Sequence, residues 1–218
     1  MAVYLKKFET QSAYEAAQSS LILPNVSLTV DNNVVHYNPS SPTPPTPSYE
    51  SVDLGLPSGT LWAKYNVGAT SETEYGNYYQ YGKGAAQYAA TSGDSDYSGT
   101  EDPLDSSVDT AVQVWGGNWH MPTYNQMVEL TANTTYEWTT IDGVNGGKFT
   151  AQNGNYIFIP AASNIYQGSV TDIGSNCYVW GSSPDDECCA CYMYLDYDDH
   201  SVSEFNRYIG ASVRPVIG

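Results

Sequence analysis

Asp185-Asp-Glu-Cys-Cys-Ala-Cys-Tyr-Met-Tyr-Leu-Asp-Tyr-Asp-Asp-His-Ser-Val-Ser-Glu-Phe-Asn-Arg-Tyr-Ile209 crowds rigid aromatics, small polar residues and near-adjacent thiols together, with no catalytic spacing among them. Inside this run, Tyr192-Met-Tyr-Leu-Asp-Tyr197 alternates with the two-residue period of a half-buried strand. Met193 and Leu195 then share a buried face, and Tyr192, Tyr194 and Asp196 share the exposed one. Tyr supplies contact area, and Ser, Asp and Asn supply adaptable hydrogen bonds, which is the composition of a recognition surface. Trp180-Gly-Ser-Ser-Pro184 opens the stretch and Gly210-Ala-Ser-Val-Arg-Pro-Val216 closes it. The chain reads as a binding protein whose contact face lies near its C-terminus.

Upstream of this run the strands continue. Lys148-Phe-Thr-Ala-Gln152 and Asn155-Tyr-Ile-Phe-Ile159 flank Asn153-Gly154, a strong short-range hairpin signal. Thr123-x-x-Gln126 is a capping box leading into Met127, Val128 and Leu130 on a helix. Ser71 to Gly82 suggests another short helix, and Gly59-Thr-Leu-Trp-Ala-Lys-Tyr-Asn-Val67 a first strand. Trp62, Trp115, Trp119 and Trp138 are most simply core aromatics. Two helices followed by a β-rich, loop-rich half predict an α+β domain over residues 49–218.

Ahead of it, residues 1–39 form a small module. Ser12-x-x-Glu15 with Ala13, Ala16 and Ala17 predicts a helix ending near Ser20, and alternation around Asp31-Asn-Asn33 predicts a β-hairpin. So short a piece buries little surface, so it is expected to attach or oligomerise. Residues 40–48, Ser-Ser-Pro-Thr-Pro-Pro-Thr-Pro-Ser, read as a stiff extended linker.

The net charge of -17, with only 7 Lys and Arg, leaves no basic stripe for nucleic acid and disfavours anionic membranes. Met1 to Thr10 has no apolar secretory core, and no apolar run reaches membrane-spanning length, so no membrane insertion is expected. The 20 tyrosines fit both an aromatic β core and a recognition surface.

Several segments, in order, carry a family likeness. They are Val52-Asp-Leu-Gly-Leu-Pro-Ser-Gly-Thr-Leu-Trp-Ala63, Asn66-Val-Gly-Ala-Thr70, Tyr75-Gly-Asn-Tyr-Tyr79 and Trp115-Gly-Gly-Asn-Trp-His-Met-Pro-Thr123. Ile159-Pro-Ala-Ala162, Trp180-Gly-Ser-Ser-Pro184 and Arg207-Tyr-Ile-Gly-Ala-Ser-Val-Arg-Pro-Val216 complete the set. Together they resemble C-type-lectin-fold domains related to formylglycine-generating enzyme, of the type common in gut bacteria and their phages. The tail resembles the variable region of proteins diversified by retroelements. His120 departs from the pattern, standing where Arg is more usual, and a packing role is expected of it.

The resemblance implies a C-type-lectin-like fold with two helices, twisted antiparallel sheets and long loops, and a variable region at about residues 177–211. Adenine randomisation of Asn codons cannot produce Lys, Glu, Gln, Met or Trp. Ser182 to Ala211 contains no Lys, Gln or Trp, and only Glu187, Met193 and Glu204 break the pattern, so those three would be fixed positions. Trp180, Leu195, Arg207, Val213 and Arg214 would form the framework. Tyr192, Tyr194, Tyr197, Phe205 and Tyr208 would be contact anchors. Asp185, Asp186, Asp196, Asp198 and Asp199 would favour a basic or polar ligand. Cys188, Cys189, Cys191, Ser201, Ser203 and Ile209 would complete the variable surface.

The expected role is receptor binding on a phage tail, the partner being a host cell-surface protein or glycan. The missing export signal favours a virion part assembled in the cytoplasm over a bacterial surface adhesin. A calcium-dependent, carbohydrate-binding lectin is the alternative. No enzyme activity is expected, because Gly-x-Ser-x-Gly, His-Glu-x-x-His and phosphate-loop patterns are missing. No two cysteines lie five positions apart, the spacing that the sulfatase-modifying oxidase of this fold requires. Nor do Cys177, Cys188, Cys189 and Cys191 form the paired knuckles of a structural zinc site, so free thiols are expected. No cofactor is required. Calcium is the one ion that the acidic loop of Asp94, Asp96, Glu101, Asp102, Asp105 and Asp109 would suit, and a solvated loop is the simpler reading.

Overall fold

The computed structural model describes the backbone of residues 28–31 and 34–37, and backbone and side chains over 49–88 and 97–218. The chain divides into two units, Met1–Ser48 and Tyr49–Gly218. In the first, β1 (Leu28–Asp31) and β2 (Val34–Tyr37) pair as an antiparallel hairpin with Asp31 opposite Val34. The helix expected near residues 12–20 and the linker at 40–48 lie outside the described residues, as do Asp94 and Asp96.

The second unit is α+β. It begins with β3 (Ser51–Asp53), β4 (Leu61–Ala63) and β5 (Tyr79–Gln80). Its helices are α1 (Thr110–Val114) and α2 (Tyr124–Asn133). A meander follows: β6 (Thr134–Ile141), β7 (Val144–Ala151) and β8 (Tyr156–Pro160). Two short strands, β9 (Asn164–Tyr166) and β10 (Ser169–Thr171), lead to a second meander of β11 (Cys177–Pro184), β12 (Cys189–Leu195) and β13 (His200–Asn206). The chain closes with β14 (Gly210–Ala211), inserted between β9 and β5, and β15 (Val216–Ile217), paired with β4. Among the described residues every pairing between named strands is antiparallel, and two isolated parallel bridges join Ser163 to Cys177 and Val179 to Ser212.

Local chemistry explains several boundaries. Thr123 caps α2 in a complete capping box: its Oγ1 accepts from the Gln126 amide, and Gln126 Oε1 accepts from the Thr123 amide at 2.9 Å. Met127 and Leu130 are buried on one face of the helix, while Val128 is exposed. Asp109 caps α1, accepting from the Val112 amide at 3.0 Å, and its other oxygen accepts from the Met121 amide at 2.9 Å. The acidic loop is therefore part scaffold: Asp109 is buried, whereas Glu101, Asp102 and Asp105 face solvent. Between β6 and β7, Asp142 and Gly143 both take positive φ, 48° and 82°, the conformation of a mirror-image two-residue hairpin turn.

The helix expected over Ser71–Gly82 is not formed. Asn66 and Glu74 tie that segment into turns instead, Asn66 Nδ2 donating to the Tyr75 carbonyl and Glu74 accepting from the Thr70 amide. The first strand is also shorter than expected, limited to Leu61–Ala63.

Two apolar clusters hold the unit together. The first unites Trp62, Met127, Leu130, Phe149, Ile157, Ile159, Val179, Met193 and Leu195. The second gathers Tyr79, Tyr81, Trp115, Trp119, Met121, Trp180, Ile209 and Val213. Trp138 is only half-buried, packed against the first cluster. Among the described residues, Arg207 and Arg214 are fully buried and form no ion pair with a carboxylate. Arg214 donates to Asn66 Oδ1 at 2.9 Å and to the carbonyls of Ala63 and Phe158 at 3.1 and 2.7 Å. Burial pushes its guanidinium down to about 9, so it stays charged at neutral pH. His120 links its own turn to the chain's last residue, one ring nitrogen meeting the Met121 carbonyl at 2.9 Å and the other the Gly218 carbonyl at 3.0 Å, the packing role expected of it.

Candidate functional site

The β11–β12–β13 meander carries most of the aromatic and acidic run between Asp185 and Ile209, and strand parity sorts its side chains. Val179 faces Met193, and Cys177 faces Leu195, all buried in the first cluster. On the opposite face Tyr178 lies across from Tyr194, Trp180 from Tyr192, and Tyr192 and Tyr194 from Ser203 and Ser201. Phe205 joins them across from Ala190. The rings form a continuous platform: Tyr178 stacks on Tyr192 at 5.4 Å between centroids with 9° between planes, and meets Tyr194 and Phe205 edge-on. Such contacts add about 0.5–1.5 kcal/mol each beyond area burial, so the platform is rigid before anything docks on it.

This face is half-buried. Its inner margin packs on the second cluster through Trp180 and Ala190, and Tyr192, Tyr194, Ser201, Ser203, Phe205 and Tyr208 are each partly covered. Tyr208 lies beside Tyr166, with centroids 5.7 Å apart. Tyr197, at 77% exposure, is the most open large side chain of the run.

Two residues assigned to the variable surface are not on it. Cys191 is 3% exposed because it shares the parity of Met193 and Leu195, and so points into the first cluster. Ile209 is 2% exposed because the turn after β13 drops it into the second. Burial pushes the thiols of Cys177 and Cys191 up to about 12. All four cysteines are free thiols.

The two tips of the meander are built alike. Between β12 and β13, Asp196 Oδ1 accepts from the amides of Asp198 and Asp199 at 2.8 and 2.7 Å, and Oδ2 accepts from the Tyr194 hydroxyl at 3.0 Å. Desolvation opposes ionisation of Asp196, but these donors outweigh it and hold the carboxyl below the ordinary range. Its carboxylate is thus committed to the turn, leaving Asp198 and Asp199 as the exposed acids there. Tyr136 fixes this tip from β6, donating to the Asp196 carbonyl at 2.6 Å and stacking on His200.

Between β11 and β12, Asp186 Oδ1 accepts from the amides of Cys188 and Cys189 at 2.8 and 2.6 Å. The Cys188 thiol and amide and the Cys189 amide hold the Asp186 carboxyl below the ordinary range. Asp185, Asp186, Glu187 and Cys188 are exposed, and Cys189 is half-buried. Arg207 anchors the tip from beneath, donating through Nε to the Cys189 carbonyl at 3.0 Å and through Nη2 to the Asp186 carbonyl. Its Nη1 reaches the Gly99 carbonyl at 2.8 Å, and its plane lies over the Tyr81 ring, 5.0 Å from the centroid.

Beside this tip a polar cavity of ≈ 450 Å³ opens between the Asp102–Pro103 loop, the start of α2 and the end of β11. Asp102, Asp185 and Glu204 line it. Ser183 spans its floor, its Oγ donating to Asp102 Oδ1 at 2.8 Å and accepting from the Tyr124 amide at 3.1 Å. Two contributors escaped sequence reasoning. Tyr178 belongs to the platform by the alternation of Cys177-Tyr-Val-Trp180, a signal present in the chain, whereas the pairing of Asp102 with Glu204 across one cavity has no local signature.

No helix among the described residues is long and apolar enough to cross a membrane. Compared with known proteins, the chain matches no family model, no curated protein and no solved structure.

Proposed function

We propose that this chain is a ligand-binding protein whose recognition surface is the β11–β12–β13 meander, with no enzymatic role. The observation that carries this reading is the division of one sheet into two faces. Met193, Leu195, Val179 and Cys177 are locked in the core, while Tyr178, Tyr192, Tyr194 and Phe205 form an aromatic platform open on one side. Stability then resides in one set of residues and specificity in another, which lets the outer set change freely.

Exposed Asp185, Asp186, Asp198 and Asp199 flank the platform, so a basic or polar ligand is favoured. The two helices, antiparallel sheets and long loops support a C-type-lectin-like domain of the type the sequence resembles. On that footing the unit is a retroelement-diversified receptor-binding module of a phage tail, presented by the first unit toward a host-cell protein or glycan.

The test is binding of the fluorescently labelled full chain to a panel of intact gut bacterial strains. Tyr197→Ala with Tyr208→Ala should lower binding to any strain captured by at least about tenfold, as loss of contact anchors does. Equal binding by the double variant would overturn the assignment of the surface. A reverse transcriptase gene beside this one, with a template repeat matching the codons of residues 177–216 except at adenines, would support the diversification.

A further inference from the structure

We propose that the β11–β12 tip is a binding site for a thiophilic divalent cation of the zinc and cadmium class, held by Asp186, Cys188 and Cys189. By sequence, Cys177, Cys188, Cys189 and Cys191 do not form the paired knuckles of a structural zinc site. Cys177 and Cys191 are buried in the first cluster and take no part. What the fold brings together is a different set: one oxygen of Asp186 and the two sulfurs lie within 4.8 Å of one another. The sulfurs are 3.0 Å apart.

Thiolate and carboxylate ligands at short spacing suit a soft or borderline cation in tetrahedral geometry and do not suit calcium, which takes oxygen. With zinc–sulfur bonds of about 2.3 Å, tetrahedral sulfurs stand roughly 3.8 Å apart. The pair must therefore open by less than ~1 Å, a side-chain rotation at an exposed turn. Asp186 Oδ1 is occupied by the two amides, so Oδ2 is the oxygen left for the ion.

The second observation is how the tip is fastened. Arg207 holds it by backbone groups alone: its side chain donates to the carbonyls of Asp186 and Cys189, and its amide donates to the Cys188 carbonyl at 2.9 Å. The carbonyls of all three ligand residues are thus fixed from below, while the carboxylate and both sulfurs are left unclaimed by the clamp. A tip prearranged in this way loses little freedom on binding an ion. The guanidinium also balances charge, because a divalent ion among one carboxylate and two thiolates leaves one negative charge, which Arg207 neutralises. Three protein ligands leave a fourth position open at the surface, for water or for a donor atom of a docked molecule. The site stands whether or not the recognition reading holds.

The experiment uses the full chain, reduced and stripped of metal, titrated with Cd²⁺ and separately with Co²⁺. One equivalent of Cd²⁺ should raise a thiolate-to-metal charge-transfer band, and Co²⁺ should give the intense visible bands of tetrahedral coordination. Cys188→Ser and Cys189→Ser should each abolish the Co²⁺ signal, while Cys177→Ala should leave it. Asp186→Asn keeps an oxygen for the two amides but removes the charge, so far-ultraviolet circular dichroism should not change while affinity falls by about tenfold or more. Absence of the bands in the reduced chain would overturn the proposal. So would bands that survive both serine variants. Affinity unchanged in Asp186→Asn would reduce the site to a dithiol and overturn the three-ligand assignment.

Discussion

Arg207 Nε donates to the carbonyl of Cys189 at 3.0 Å, tying the turn that follows β13 to the first residue of β12. The same side chain reaches the Gly99 carbonyl and the face of Tyr81, so one cation joins the loop before α1, the second core cluster and the acidic tip.

Arg207→Lys should therefore destabilise the Tyr49–Gly218 unit by about 3 kcal/mol. Lysine offers a point charge in place of a planar fork, leaving part-buried carbonyls unpaired, at about 1–3 kcal/mol each as an upper range. Thermal denaturation checks this, and a melting temperature equal to that of the parent chain would contradict it.

Met193 on the buried face of β12 and Tyr197 on the tip beyond that strand predict opposite responses to substitution. Met193→Ala should cost about 2–5 kcal/mol, the usual range for emptying a fully buried apolar site. Tyr197→Ser, at a position 77% exposed, should stay within about 0.5 kcal/mol of the parent. Urea midpoints at constant slope would measure both. Comparable losses at the two positions would mean that the tip bearing Tyr197 is packed.

Thiol accessibility gives a third check. Iodoacetamide should modify Cys188 in the native chain and spare Cys177 and Cys191, which are buried with their thiols pushed up to about 12. Peptide mapping after brief labelling would read the pattern. Modification of Cys191 at the rate of Cys188 would show that β12 has the opposite parity.

Burial should also make the fold sensitive to alkali. Desolvation raises the phenols of Tyr81, Tyr136, Tyr178 and Tyr194, and pushes Tyr192 up to about 12. The unfolded chain loses these protons near pH ~10, whereas the folded chain keeps them, so the folded state binds more protons above that point. Stability is complete below about pH 10 and declines as pH rises from there through the folded values. Urea midpoints at about pH 8 and pH 11 should differ accordingly. Equal midpoints would place these rings in water.

The hairpin at Asn153–Gly154 and the capping box at Thr123 were legible because a few adjacent residues encode each of them. The strand β6 was missed although Asp142–Gly143 is an equally local turn signal, since Thr134-Thr-Tyr-Glu-Trp-Thr-Thr-Ile141 lacks a clean apolar period. The Ser71–Gly82 reading failed for a different reason. Gly76, at φ 74°, has no room for a side chain beside the Val67 carbonyl, and that close approach is a tertiary fact. Cys191 was legible after all: the parity that sent Met193 and Leu195 inward sends it with them. The cavity of Asp102, Asp185 and Glu204 was not, because it joins residues from three separate segments of chain.

Val216 lies opposite Trp62, so the final strand of this unit is stitched to one of its earliest. Any copy interrupted by a premature stop or a shifted reading frame between residues 185 and 209 would lack Arg214 and Val216. Asn66 Oδ1 would then lose its Arg214 donor, and β4 would keep only β3 as a neighbour. Closure of the domain thus depends on residues that come after the meander in the chain.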